Sequence, residues 1–92
     1  MTHYNALIHK QTDSGYGISF PDVLGVTTVA DTLDDAFHEA GVVLAFAFED
    51  WQGELPQPRT LDELRCDPEF LDWSRDAVVA AVAPTAALAH AA

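Results

Sequence analysis

One long amphipathic helix, predicted from Thr32 to Gln52, constrains the fold of this chain more than any other stretch. Thr32 with Asp35 three residues later is typical of a helix N-cap, and an acidic first turn suits the helix dipole. Gly53 can end the helix in a left-handed conformation. The apolar residues that recur at three- and four-residue steps, and so share one helix face, are Leu33, Ala36, Phe37, Ala40, Leu44, Ala47, Phe48 and Trp51. We therefore expect one buried face and one solvated face.

Two apolar residues of this helix fall toward its polar side. Val42 and Phe46 occupy positions where a monomer would prefer charge. A domain of 92 residues buries only about 60–65% of its unfolded surface, so its core is modest. We therefore predict a homo-oligomer, with Val42 and Phe46 in its interface.

Three short strands are predicted before the helix. Residues alternate in character over His3–Lys10 and Tyr16–Phe20, and the turn-rich segment Gln11–Gly15 between them indicates a hairpin. Val26–Ala30 is β-branched in four of five positions, which favours a third strand.

Short elements are predicted after the helix. Thr60–Glu63 has the residues of a capping box, which predicts a helix over Leu61–Arg65. Asp67-Pro68 is typical of a second helix start, because proline is favoured at the first helical position. Ala77–Ala83 is predicted as a fourth strand, and residues 85–92 as a flexible alanine-rich tail.

These elements predict an α+β domain over residues 1–84. Its sheet would be a three-stranded antiparallel meander plus the later strand, packed on the long helix in two layers. The helix would cover one face of the sheet. The other face would be partly open, and the residues expected there are Asn5, Leu7, His9, Thr27 and Val29.

Composition limits the partners of the chain. Four Lys and Arg against 15 Asp and Glu give a net charge of −11, which repels phosphate backbones and attracts a basic partner. Direct binding of nucleic acid is therefore not expected. Cys66 is the single cysteine, which suits a reducing cytoplasm. We expect no signal peptide, and the longest apolar run, Gly41–Phe48, is too short to span a bilayer.

No residues form a convincing metal or catalytic site. His38 lies near Asp34 and Glu39 in the predicted helix, but no second histidine follows at helical spacing, so a solvated acidic face is the better interpretation. Neither Ser19 nor Cys66 has an evident base or orienting group nearby. We therefore predict no metal, no cofactor and no enzymatic activity.

The order of several short motifs resembles the N-terminal domain of HicB-type antitoxins, which belong to type II toxin–antitoxin systems. A strand over Tyr4–Lys10 is followed by Gly15-Tyr16-Gly17-Ile18-Ser19-Phe20-Pro21-Asp22, and then by Gly25-Val26. Asp31-Thr32-Leu33-Asp34-Asp35-Ala36 then opens the long helix. The linker Leu55–Pro58 and the segment Thr60–Leu64 are also similar. Val23 and Leu24 depart from the family pattern, which has leucine and proline there.

The resemblance implies a partial, non-catalytic RNase H-like fold that neutralises a HicA-type toxin, a small basic ribonuclease that cleaves mRNA. The first three predicted strands carry no carboxylate, whereas catalysis of the RNase H type needs several to hold metal. Phe20, Pro21 and Asp22 are the candidate partner-binding residues, together with the open sheet face. Family members commonly carry a C-terminal operator-binding domain, and this chain ends at Ala92. Operator binding by this chain is therefore not expected.

Two other interpretations stay open at this point. The chain could be a small ligand- or metal-binding domain that uses the sheet face and the acidic cluster around His38. It could also be a structural oligomerisation module without a toxin partner. Retention of metal through purification would favour the first, and self-association without a captured partner would favour the second.

Overall fold

Four strands and three helices make up the computed structural model, which describes residues 2–11 and 15–84. The predicted tail at 85–92 and residues 12–14 of the predicted turn lie outside the described residues. The strands are β1 (Tyr4–Lys10), β2 (Tyr16–Ser19), β3 (Thr27–Ala30) and β4 (Ala77–Val82). The helices are α1 (Leu33–Glu49), α2 (Leu61–Arg65) and α3 (Pro68–Trp73).

The strands form one antiparallel sheet in the order β3-β2-β1-β4. The predicted hairpin and meander are confirmed, and the late strand pairs with β1. Ile8 at the centre of β1 lies between Ile18 of β2 and Val78 of β4. Among the described strands, β3 and β4 therefore lie at the two edges of the sheet.

The long helix α1 packs on one face of the sheet. Strand alternation points Tyr4, Ala6 and Ile8 toward it, where Ala36, Ala40 and Leu44 meet them. Burial of this contiguous apolar cluster is the main stabilising term of the fold. The cluster is completed by Ile18, Phe20, Val23 and Val82.

The two short helices cover part of the opposite face. Leu7 packs there against Leu64 of α2 and Phe70 of α3, with Ala77 of β4 beside them. Leu7 is 0% exposed, so the expectation that it lies on an open face was wrong. The cause is that α2 and α3 fold back over β1 and give the second face a small core of its own.

The predicted start of α1 is confirmed and its predicted end is not. The Thr32 hydroxyl oxygen accepts a hydrogen bond from the Asp35 amide at 3.1 Å. The helix ends at Glu49, three residues before the predicted Gln52, because the Trp51 amide bonds to the Phe48 carbonyl in a tighter turn. Trp51 then packs edge-on against the Phe48 ring at 5.7 Å. Gly53, with φ +81°, follows this turn rather than capping the helix.

Within the described part of the chain, no helix has the length and apolar character needed to cross a membrane.

Candidate partner-binding surfaces

The predicted partner-binding corner, Phe20–Asp22, lies between β2 and β3. Phe20 is 1% exposed and belongs to the main core, and Pro21 is buried. The accessible apolar side chain of this connection is Leu24, which is 76% exposed. In the sequence, Leu24 stands out only as a departure from the family pattern, which has proline at that position. The assignment of Phe20, Pro21 and Asp22 to partner binding stays a prediction.

Asp22 has a partner within the chain. Its carboxylate accepts hydrogen bonds from the Arg59 backbone amide at 2.7 Å and from Arg59 Nε at 2.6 Å. Arg59 Nη1 also donates to Asp67 at 2.9 Å. Asp67 caps α3 by accepting from the Glu69 amide at 3.0 Å. Arg59 therefore ties the corner to the start of α3.

These contacts shift the pKa values of Arg59 and Asp67. The hydrogen bond with Asp22, and then that with Asp67, raises the pKa of the Arg59 guanidinium. The same guanidinium, helped by the Glu69 amide, lowers the pKa of the Asp67 carboxyl below its ordinary 3.8. The cluster carries one formal positive charge and two formal negative charges, and the Arg59 side chain hydrogen-bonds to both carboxylates.

The linker between α1 and α2 is held at a second point by Tyr4. The Tyr4 hydroxyl donates to the Pro56 carbonyl at 2.7 Å. Burial, and secondarily the nearby Asp22 carboxylate, raises the pKa of this phenol above 10.0. The Tyr4 ring also packs against Phe48, with centroids 5.3 Å apart. Together Tyr4 and Arg59 fix the path by which the chain passes from one sheet face to the other.

An open groove of about 440 Å³ runs between α3 and strands β2 and β3, on the face opposite α1. Val29 in its wall is 72% exposed, and His9 Nε2 lies 2.8 Å from the Trp73 carbonyl oxygen. Three of the residues expected on the open face, His9, Thr27 and Val29, line it. The remaining lining is Gln11, Gly17, Ile18, Ser19, Thr28 and Trp73, so no carboxylate, lysine or arginine contributes.

A second surface is the outer face of α1, which points away from the sheet. Phe46 is 71% exposed at its centre and Val42, one turn earlier, is half-buried. The two therefore lie outside the main core, as their position in the sequence pattern predicted. Their neighbours at three- and four-residue spacing complete this face: Asp35, His38, Glu39 and Glu49.

Electrostatics favour a basic partner on the outer face of α1. The helix contains four acidic residues and no lysine or arginine. In the sequence from Lys10 to Arg59 there are nine Asp and Glu and no Lys or Arg in between. Arg59 itself is occupied by Asp22 and Asp67. A second copy of the chain would bring like charges together here, and this repulsion would weaken an oligomer interface formed by Val42 and Phe46. That interface stays a prediction.

Residues 2–11 and 15–84 contain no group of three or more His, Cys, Asp or Glu side chains able to hold a metal ion. Cys66 is exposed at the end of α2, and the Ser74 hydroxyl donates to the Leu71 carbonyl at 3.4 Å.

Comparison with known families agrees with the motifs and the fold. Residues 4–90 match the model of the HicB-like antitoxin of bacterial toxin–antitoxin systems. The chain belongs to the HicB-like antitoxin family. A comparison with curated proteins found no match.

Two solved structures extend this HicB-like identification to the fold. The N-terminal domain of Burkholderia pseudomallei antitoxin HicB is 28% identical, with a TM-score of 0.71, and the match covers 89% of this chain and 96% of that domain. The longer structure of the same antitoxin is also 28% identical, with a TM-score of 0.64. The match covers 90% of this chain and 63% of that longer one. The predicted HicB-like α+β fold is therefore confirmed.

Proposed function

We propose that this HicB-like chain is a cytoplasmic antitoxin that binds a HicA-type mRNA-cleaving ribonuclease and blocks its RNA site. The family match over residues 4–90 carries the proposal, because antitoxins of such systems act on a toxin. The net charge of −11 supports it, since a ribonuclease that binds an RNA backbone needs a basic surface.

The outer face of α1 is the surface we assign to the toxin. Phe46 is the exposed aromatic side chain that a partner pocket could bury, and acidic residues on either side can pair with lysine and arginine. Occupying basic residues in this way would keep them from RNA phosphates. The Phe20–Asp22 corner and the open groove are further predicted contacts.

Inhibition by this chain needs no chemistry. In an RNase H-like fold we expect metal-dependent hydrolysis to need several carboxylates clustered on adjacent strands. The described strands β1, β2, β3 and β4 contain none. The purified chain should therefore leave RNA and RNA–DNA hybrids intact with Mg²⁺ present. Cleavage that is lost on mutation of one of its own carboxylates would contradict a purely inhibitory role.

Co-expression with the neighbouring small basic open reading frame tests the proposal. We expect that frame to arrest growth alone, this chain to restore growth, and the two to elute together in gel filtration at moderate salt. Toxicity that this chain does not relieve, or a complex that does not form, would overturn the proposal.

The open groove supports one alternative, a small-ligand site. A groove of about 440 Å³ falls within the size range of small-molecule pockets, and His9 and Trp73 offer polar and aromatic contacts. Its uncharged lining gives no electrostatic advantage to a basic protein. Chemical-shift changes confined to groove residues on screening a fragment library, without any toxin partner, would favour this function.

A further inference from the structure

The outer edge of β3 adjoins the open groove. Among the described strands, β3 pairs only with β2, so its other side has no strand partner there. Thr27 and Val29 of β3 both line the groove, and Val29 is 72% exposed. The strand edge and the groove therefore form one accessible surface.

Strand register shows which backbone groups this edge offers. The Gln11 amide donates to the Gly15 carbonyl at 3.1 Å, and hydrogen-bonded and non-hydrogen-bonded pairs alternate along antiparallel strands. Counted from this pair through β1, β2 and β3, the amide and carbonyl of Thr28 face β2. The amides and carbonyls of Thr27 and Val29 therefore point away from the sheet, where another strand can pair with them.

Gly17 leaves space in the floor of the groove. It lies between His9 of β1 and Val29 of β3 on the face opposite α1. The side-chain amide of Gln11, an exposed residue, lies where a side chain of residue 17 would be. Glycine inside a strand is typical of a position that a ligand or another chain approaches closely. An uncharged side chain of a partner can displace the flexible Gln11 amide and occupy this space.

Charge identifies the partner that fits the β3 edge. β3 lies in the stretch between Lys10 and Arg59, which contains nine acidic residues and no basic one. Asp31, directly after β3, and Asp34 and Asp35, at the start of α1, are all exposed. The other edge strand, β4, contains no charged residue. A basic partner is therefore favoured at β3 over β4.

We propose that an extended segment of the toxin adds to the sheet beside β3 as a fifth strand, an inference that rests on the proposed function. Main-chain hydrogen bonds give such strand addition its affinity, and pockets for alternate side chains give it specificity. Antiparallel pairing is the more stable arrangement. The toxin residue beside Val29 then directs an uncharged side chain toward the groove, and the residues before it, near Asp31, include lysine or arginine.

Hydrogen exchange of backbone amides, followed by NMR, tests the pairing directly. In the free chain, the Thr27 and Val29 amides should exchange fast and the Thr28 amide slowly. In the complex with the toxin from the neighbouring reading frame, exchange at Thr27 and Val29 should slow by at least about tenfold. By the same alternation of pairs, the Val79 amide points outward from β4, and its exchange should not change.

Proline substitutions separate the edge from the fold. V29P removes an outward amide but no hydrogen bond to β2, and it should weaken toxin binding about tenfold in titration calorimetry. V79P makes the same change on the β4 edge and should bind the toxin like the unchanged chain. Circular dichroism and thermal unfolding check that each variant folds. T27P, at the first residue of β3, replaces V29P if that variant unfolds.

The position of the basic residues is tested at Asp31. D31N should weaken toxin binding about threefold, the range of one exposed ion pair. D76N removes the same charge directly before β4, and it should have a smaller effect. Equal effects of D31N and D76N would contradict the assigned direction of the added strand.

The strand addition and the proposed function fail in different ways. A toxin complex in which the Thr27 and Val29 amides exchange as fast as in the free chain would overturn the strand addition and leave the proposed function standing. Equal weakening by V29P and V79P would also overturn it, because pairing at β3 predicts an effect on that edge alone. If the unchanged chain forms no complex with the toxin, both proposals are wrong.

Discussion

Arg59 shows how one side chain can fix the path of a whole segment. Its guanidinium joins Asp22, which is 37 residues away, to Asp67 at the start of α3. The Asp22 side chain is only 7% exposed. Without the Arg59 side chain, it would keep only the backbone amide of residue 59 as a hydrogen-bond donor. Local patterns could not predict this contact, because ion pairs between distant residues follow no sequence spacing. The nearby Thr60 capping box, by contrast, depends on local spacing and was predicted.

Replacing Arg59 by alanine should destabilise the fold. Hydrogen bonds to charged groups contribute about 1.5–3 kcal/mol, and the 37% exposure of Arg59 reduces this, so we expect a loss of about 1–2 kcal/mol. R75A is the matched control, because the Arg75–Asp72 pair is exposed on both sides. It should cost less than about 0.5 kcal/mol. Equal losses for R59A and R75A in urea unfolding would show that the Asp22 contact contributes nothing.

Tyr4 should make the fold sensitive to alkaline pH. Its folded-state pKa is raised, so the folded state holds the phenolic proton more tightly than the unfolded state does. This contribution is complete below pH 10 and is lost as pH rises through the folded-state pKa. Y4F removes the hydrogen bond to Pro56, and it should lower stability by about 1 kcal/mol at pH 7.

Thermal unfolding from pH 8 to 11 measures the alkaline effect of Tyr4. The unchanged chain should lose more stability over this range than Y4F does. Y16F serves as the control, because Tyr16 is half-buried on the neighbouring strand β2. It should keep the alkaline loss. The same slope in Y4F and Y16F would show that Tyr4 does not carry it.

Among the elements, α1 has two roles on two faces. One face packs on the sheet, and the other presents Phe46. Since Phe46 is 71% exposed, F46D should change the unfolding free energy little while weakening toxin binding by about 30-fold or more, the range of an interface hot spot. Titration calorimetry against the toxin measures the affinity.

The control for F46D is L24D, which places the same charge on an equally exposed apolar residue of the corner. L24D should weaken toxin binding much less than F46D does, because the outer face of α1 is the main assigned contact and the corner a secondary one. Loss of binding in L24D alone would move the contact to the corner. A fall in mass for F46D without a toxin would instead support the predicted oligomer interface at Val42 and Phe46.

Elements were predictable from sequence where their signals are local. Thr32 and Thr60 mark helix starts by their spacing to an acidic residue, and both side chains accept the predicted amide hydrogen bonds. The end of α1 was not predicted correctly. Trp51 packs on Phe48 in a turn that ends the helix before the chain reaches Gly53. Leu7 was assigned to an open face because no local pattern reports that two short helices return over β1.

At the scale of the whole molecule, charge separates the surfaces by the partner each can accept. The outer face of α1 is acidic around an apolar centre, whereas β4 and the open groove carry no charged side chain. The net charge and the small size of the core could be predicted from composition and length. Which faces carry that charge could not be predicted without the fold, because strand register and helix rotation decide which carboxylates lie together.

This separation predicts how toxin association responds to salt. Opposite charges speed the encounter of the two proteins, and the Debye length of about 8 Å at physiological ionic strength shortens as salt is added. Between 50 and 500 mM NaCl we expect the association rate constant to fall on the order of tenfold. The dissociation rate constant should change little, because it depends on the buried Phe46 contact. Stopped-flow fluorescence of the two chains separates the two constants.

Neutral variants show which acids act in this steering. The pair E39Q and E49Q removes two charges from the outer face of α1, and it should slow association and flatten its dependence on salt. The pair D62N and D72N removes the same charge from α2 and α3, away from that face, and should keep most of the slope. If both pairs flatten the slope equally, the steering comes from net charge alone. The assignment of the toxin to the outer face of α1 would then have no electrostatic support.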